Sequence, residues 1–171
     1  MRSPVPDGLD LCPYFVDDDG TLPELELRFA SPDGAARAFA RLFDLGAVDA
    51  SRGEALVEVD DSAALRTFAG PEDAARVAEG TVRPFHLVVD SIVVDGVGLP
   101  DLGVLVESDR LTFDYRMGPE WGAETIDALL RLLGASCRDG AILATPWWGA
   151  DAERVFVARV AAAGETTGAR P

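Results

Sequence analysis

The 171-residue chain contains no lysine, no asparagine and no glutamine, and it has one histidine, His86, and two cysteines, Cys12 and Cys137. Each shortage removes a class of function. Two thiols and one imidazole supply neither a disulfide framework nor a structural zinc site, which takes about four ligands. A transition-metal site would have to lean on carboxylates, a poor match for zinc or copper, so no metal and no cofactor is expected. Any Ser-His-Asp or Cys-His mechanism would have to pass through His86, which sits in an apolar run with Asp90 and Ser91 near it only in sequence. The reading taken is a core or half-buried imidazole with one hydrogen bond, and no catalytic residue is assigned. Glycine-rich phosphate loops are missing too: Gly96-Val97-Gly98-Leu99-Pro100 is followed by no helix and reads as a strand connector. No apolar run approaches a membrane span, and the opening residues lack the core of a signal peptide. A reducing cytoplasm is the expected location, with both thiols as small buried hydrophobes.

Positive charge is scarce. Thirty acids face fifteen arginines, for a formal net charge of −15. A field of that sign repels phosphate backbones and anionic lipid and attracts a basic protein, so nucleic acid and membrane are excluded as partners. Lys and Asn have AT-rich codons, so a GC-rich bacterial genome accounts for part of the imbalance. With 48% apolar and 26% charged residues, the composition is that of one globular domain. It is placed at residues 9–163, between a loose arm at 1–8 and a disordered tail at 164–171.

What is present is best seen at residues 102–135. Leu111, Phe113, Tyr115 and Met117 alternate with Arg110, Thr112, Asp114 and Arg116, the pattern of a strand with one wet face. Ile126, Leu129, Leu130 and Leu133 follow at helical spacing, with Gly134 as the stop. Upstream, residues 9–16 read as a strand and 17–20 as a turn. Leu25, Leu27 and Phe29 form a second alternating strand. Ser31-Pro32-Asp33 opens a helix carrying Ala35, Ala38, Phe39, Leu42 and Leu45, closed by Gly46. A strand at 55–59, short helices at 62–68 and 71–79, and an apolar strand at 85–94, covered on both faces and interrupted at Asp90-Ser91, lead back to the first unit. Short strands at 141–145 and 154–160 complete the chain. The two ends share a plan, strand–helix–strand with the spellings Leu45-Gly46-Ala47 and Leu133-Gly134-Ala135. The expected fold is therefore α+β: a mostly antiparallel twisted sheet with helices packed on one face. Two readings stay open: related ββαβ halves spanning 9–60 and 102–161, joined by a helical connector and central strand at 61–101, or two ordinary α+β units that obey the same capping rules.

Phe15-Val16-Asp17-Asp18-Asp19-Gly20-Thr21-Leu22 resembles the first motif of the haloacid dehalogenase-like phosphatases. That resemblance implies Asp17 as phosphoryl acceptor, Asp19 as general acid, a nearby magnesium ion, and a following helix in a parallel sheet. The same residues on their own chemistry read as a polar turn with its acids in solvent, which is the reading preferred.

The tryptophans recur in Pro119-Glu120-Trp121-Gly122 and Pro146-Trp147-Trp148-Gly149. Trp121 is expected to staple its helix to the sheet. Of the adjacent pair Trp147 and Trp148, one ring is expected in the core and one in solvent, because neighbours diverge. Trp147, Trp148 and Trp121, with Asp17, Asp18 and Asp19, are the candidate interaction residues. The expected function is an acidic, non-enzymatic protein-binding module, loosely similar to bacterial immunity proteins and inhibitors, that takes a basic partner. The alternatives are a metal-assisted phosphohydrolase at Asp17 and Asp19, or an assembly subunit whose wet strand faces pair in a homo-oligomer.

Overall fold

A computed structural model describes residues 9–166, so the expected arm at 1–8 and the end of the tail lie outside the described residues. The elements run in order as α1 (Pro13–Val16), β1 (Glu24–Arg28), α2 (Pro32–Asp44), β2 (Val48–Asp49), β3 (Leu56–Val59), β4 (Ala64–Thr67) and α3 (Glu72–Ala78). They continue with β5 (Phe85–Asp90), β6 (Val93–Val94), β7 (Val97–Gly98), β8 (Leu102–Val106), β9 (Arg110–Tyr115), α4 (Ala123–Arg138), β10 (Ile142–Ala144) and α5 (Ala150–Thr166). Six strands form one sheet in the order β10-β1-β9-β8-β5-β2, antiparallel at every pairing. The fold is α+β.

One face of the sheet carries Leu25, Leu27, Leu87, Val89, Val104, Leu111, Phe113 and Tyr115, all buried. Helices α2 and α4 pack on the sheet, while α3 rests on α2 and α5 on α4. The other face is open and bears the polar half of each alternation: Glu24, Glu26 and Arg28 on β1, Arg110, Thr112 and Asp114 on β9. Here Asp114 crosses over Gly103 on β8 to reach His86 on β5, with Nε2 and Oδ2 2.7 Å apart. A Cβ on Gly103 would fall on that carboxylate, so the glycine makes the crossing possible.

Helix ends follow a common rule. Gly46, Gly80 and Gly140 each take positive φ (+94°, +75° and +98°) just past α2, α3 and α4. In each case the two N–H groups beyond the helix return to carbonyls of the last turn, for example Gly46 to Phe43 and Ala47 to Leu42. This satisfies acceptors that a helix end would otherwise leave bare. The β6–β7 hairpin turns through Asp95-Gly96, both at positive φ, the requirement of a tight two-residue turn.

Several expectations are corrected. Residues 154–160 form part of helix α5, and residues 164–166 of the expected tail continue it. The expected strand at 154–160 is overturned by Ala152, Val155, Phe156 and Val160, all buried, which recur at helical spacing. Gly134 does not stop α4, which runs on to Arg138. A Cβ there would lie 2.7 Å from the Val160 carbonyl oxygen and 2.8 Å from the Gly164 nitrogen, so Gly134 is where α5 crosses closely. The matching spellings at Gly46 and Gly134 thus serve different ends. The first expected half reads α1-β1-α2-β2-β3 and the second β8-β9-α4-β10-α5, coinciding only in strand–helix–strand.

Residues 62–68 contain β4, hairpinned with β3, rather than a helix. The strand expected at 85–94 is interrupted where expected, at Ser91, whose φ is +64°, and only its coverage differs. It is covered on one face only, since His86 and Val88 are exposed. Residues 9–16 contain the short helix α1 instead of a strand, with Pro13 as its first residue, where the missing N–H is harmless.

The β3–β4 hairpin is tied to α3 by charge. Asp73, with no exposed surface, accepts from Arg66 Nη1 and Nη2 (3.0 and 2.5 Å), Arg76 Nη1 (2.6 Å) and the Ala69 N–H (2.9 Å). Burial pushes its carboxyl upward, but the bonds from Arg66, Ala69 and Arg76 outweigh it and hold the group below its ordinary value. A buried carboxylate persists because it is paired and hydrogen-bonded.

A candidate aromatic and acidic cleft

Helix α1 is short, yet it is fixed. Phe15 is fully buried, with ring centroids 5.0 Å from Tyr115, 5.2 Å from Trp121 and 5.4 Å from Trp148. Its carbonyl accepts from the Gly118 N–H at 2.9 Å. Tyr115 Oη donates to the Tyr14 carbonyl at 2.8 Å, and burial pushes its phenol far above the ordinary range. This aromatic knot sets the direction in which the chain leaves α1.

The acids follow at once. Asp18 Oδ1 accepts from the Gly20 N–H at 2.9 Å. Asp19 Oδ1 accepts from the Thr21 hydroxyl (2.6 Å) and N–H (2.9 Å), and these two bonds hold its carboxyl below its ordinary value. Gly20 completes the turn at φ +83°. The stretch is a polar turn in which side chains substitute for backbone acceptors. Asp17, Asp18 and Asp19 are all exposed. Asp17 has no side-chain partner among the described residues.

The tryptophan loop approaches from the other side, between β10 and α5. The carboxylate of Glu153 accepts from the Thr145 N–H at 2.6 Å and the Thr145 hydroxyl at 3.3 Å, anchoring the start of the loop. Trp148 turns inward, 6% exposed, stacked on Tyr14 at 4.7 Å and against Phe156 at 4.5 Å. Trp147 turns outward, 70% exposed. Its Nε1–H donates to Glu24 Oε2 at 3.0 Å, which ties the loop to the open face of β1.

Between the acidic turn and this loop lies a cleft of about 500 Å³, lined by Pro13, Tyr14, Asp17, Asp19, Thr21, Leu22, Pro23, Met117, Trp147 and Trp148. Of the residues singled out from sequence, Asp17, Asp19, Trp147 and Trp148 thus share one concavity, and Asp18 is not among the lining residues. Trp121, 1% exposed with its Nε1–H bonded to the Arg116 carbonyl at 2.9 Å, is a core staple and offers nothing to a surface. Tyr14, Met117 and Glu24 had not been singled out. Tyr14 was hidden because a strand at 9–16 would have pointed it and Phe15 to opposite faces, and Glu24 because it read as one wet residue of a strand.

The walls are aromatic and aliphatic, and the charged groups are two carboxylates. The lining holds no His, Cys or Ser, and Ser91 Oγ bonds Asp90 at 2.6 Å, not His86. Among the described residues no three His, Cys, Asp or Glu side chains converge as metal ligands. The acidic motif leads into an antiparallel sheet, a context unlike the parallel sheet that its phosphatase resemblance implies. Among the described residues no helix is long and apolar enough to cross a membrane. Compared with protein-family models, curated proteins and solved structures, the chain matches none.

Proposed function

We propose that the protein is an acidic, non-enzymatic binding module that takes a basic protein partner, with Trp147 as the aromatic anchor. The observation that carries this reading is Trp147 itself. It is a large ring left 70% exposed beside a cleft whose charged lining is Asp17 and Asp19. Apart from its N–H bond to Glu24, an indole ring kept in water adds little burial to the fold, whereas rings of this kind dominate binding energy when a partner covers them. The net charge of −15 speeds encounter with a cationic surface, and the ring and cleft then supply the short-range contacts.

The test is affinity capture from the source organism, with the captured protein identified by mass and its binding measured at two salt concentrations. The expected partner is basic, and its association slows several-fold between about 50 and about 500 mM salt as screening shortens the reach of charge. Trp147→Ala weakens the complex by a factor of ten or more, on the order of 2 kcal/mol. Binding that ignores salt and survives Trp147→Ala overturns the reading.

A further inference from the structure

We infer that the cleft is a receptor for a guanidinium group, so that an arginine side chain of the partner is what seats between the acidic turn and Trp147. The inference rests on the binding-module reading above and adds the chemistry of the docked group. A cation is selected because the charged lining is Asp17 and Asp19 alone. A bare metal ion is disfavoured because the remaining walls are prolines, aromatic rings, Leu22, Met117 and Thr21, whose hydroxyl is committed to Asp19, and no third carboxylate joins Asp17 and Asp19 in the lining to complete a set of hard oxygen ligands. A volume of about 500 Å³ suits a single organic group rather than a strand or helix.

Two features favour guanidinium over ammonium. The first is the supply of acceptors. The Asp17 carboxylate has no partner among the described residues, and Asp19 commits Oδ1 to Thr21, which leaves Oδ2 open. These oxygens suit a planar fork with several N–H groups better than a point charge. The second is the state of Trp147. Its only hydrogen-bond donor is already satisfied by Glu24, so what it presents to a ligand is ring surface. A guanidinium plane can stack on that surface while its edge meets the carboxylates, whereas a compact, strongly hydrated ammonium cannot do both. The arginine's propyl stem would lie along Leu22 and the proline walls, as such stems do on apolar surface.

The experiment is a ¹H–¹⁵N titration of the whole chain with three glycine-flanked peptides, identical except for a central arginine, lysine or citrulline. The three indole N–H signals report separately, and Trp147→Phe assigns one of them. The arginine peptide is expected to move the Trp147 signal and leave Trp121 unmoved. It should bind roughly tenfold tighter than the lysine peptide, with citrulline silent. Asp17→Asn and Trp147→Phe should each weaken it severalfold while the rest of the spectrum stays in place, which shows that both variants are folded. Equal binding of arginine and lysine at Trp147 overturns the guanidinium assignment and leaves the acidic binding module standing. Perturbation confined to another surface overturns the site and also leaves the module. If none of the peptides moves any signal, and a captured basic partner still needs Trp147, the guanidinium receptor falls alone. If no basic partner is captured either, both readings fall together.

Discussion

Removing the charge of Asp73 is the sharpest test of how the β3–β4 hairpin is held. Asp73→Asn preserves shape but replaces a carboxylate that accepts four hydrogen bonds, three of them from Arg66 and Arg76. An amide has one acceptor oxygen and turns N–H groups toward guanidinium. Deleting one partner of a buried ion pair costs about 3–5 kcal/mol when the other charge is stranded. Here the arginine side chains are 32% and 42% exposed, so water recovers part of the loss. The expected cost is therefore about 2–4 kcal/mol, or roughly 5–15 °C in Tm for a domain of this size. Urea unfolding at several pH values reads it. The folded carboxyl is held below the ordinary 3.8, so its stabilisation is full above that value and is lost as pH falls through the depressed folded one. Other carboxylates titrate alike in both proteins, and the gap between wild type and variant should close as the solution is acidified below 3.8. A neutral-pH gap under about 1 kcal/mol would show that the guanidinium groups rehydrate without cost. A gap that persists undiminished in acid would show that packing, not charge, was lost.

Other substitutions separate the roles of residues that look alike in sequence. Trp121→Ala should cost about 3–5 kcal/mol in denaturant unfolding, while Trp147→Ala should stay within about 0.5 kcal/mol of wild type; similar losses at both would contradict the division into staple and exposed ring. Gly134→Ala should destabilise by about 1–3 kcal/mol through its clash with α5, although alanine is the better helix former by about 1 kcal/mol; a stabilised variant would refute the close crossing. Gly103→Ala should displace the Asp114 carboxylate from His86, so its cost should shrink when His86→Ala is already present, and strict additivity in that cycle would show that the two are not coupled.

Much of this protein was determined locally. The alternation at residues 110–117 and 24–29 specified which side of the sheet is wet, because successive side chains of a strand must point to opposite faces. The start of α2 at Ser31-Pro32-Asp33 and its stop at Gly46 were equally legible, since each reflects the backbone preference of one or two residues. The acidic stretch at 17–20 behaves as the turn its composition implied.

Tertiary structure decided the rest where a local pattern was compatible with two outcomes. Arg154–Val160 carries three valines, a composition compatible with a strand, yet burial against α4 selected helix. Gly134 spells a helix stop, yet its missing side chain is used by a neighbouring helix. The cleft is the clearest case. Nothing in sequence brings Asp17 and Asp19 near Trp147 and Trp148, which lie more than a hundred positions away. They meet because β1 pairs with both β9 and β10, drawing the turn before β1 alongside the loop after β10. Such pairings are settled by the burial of one whole sheet face, a property of the assembled chain that no single segment carries.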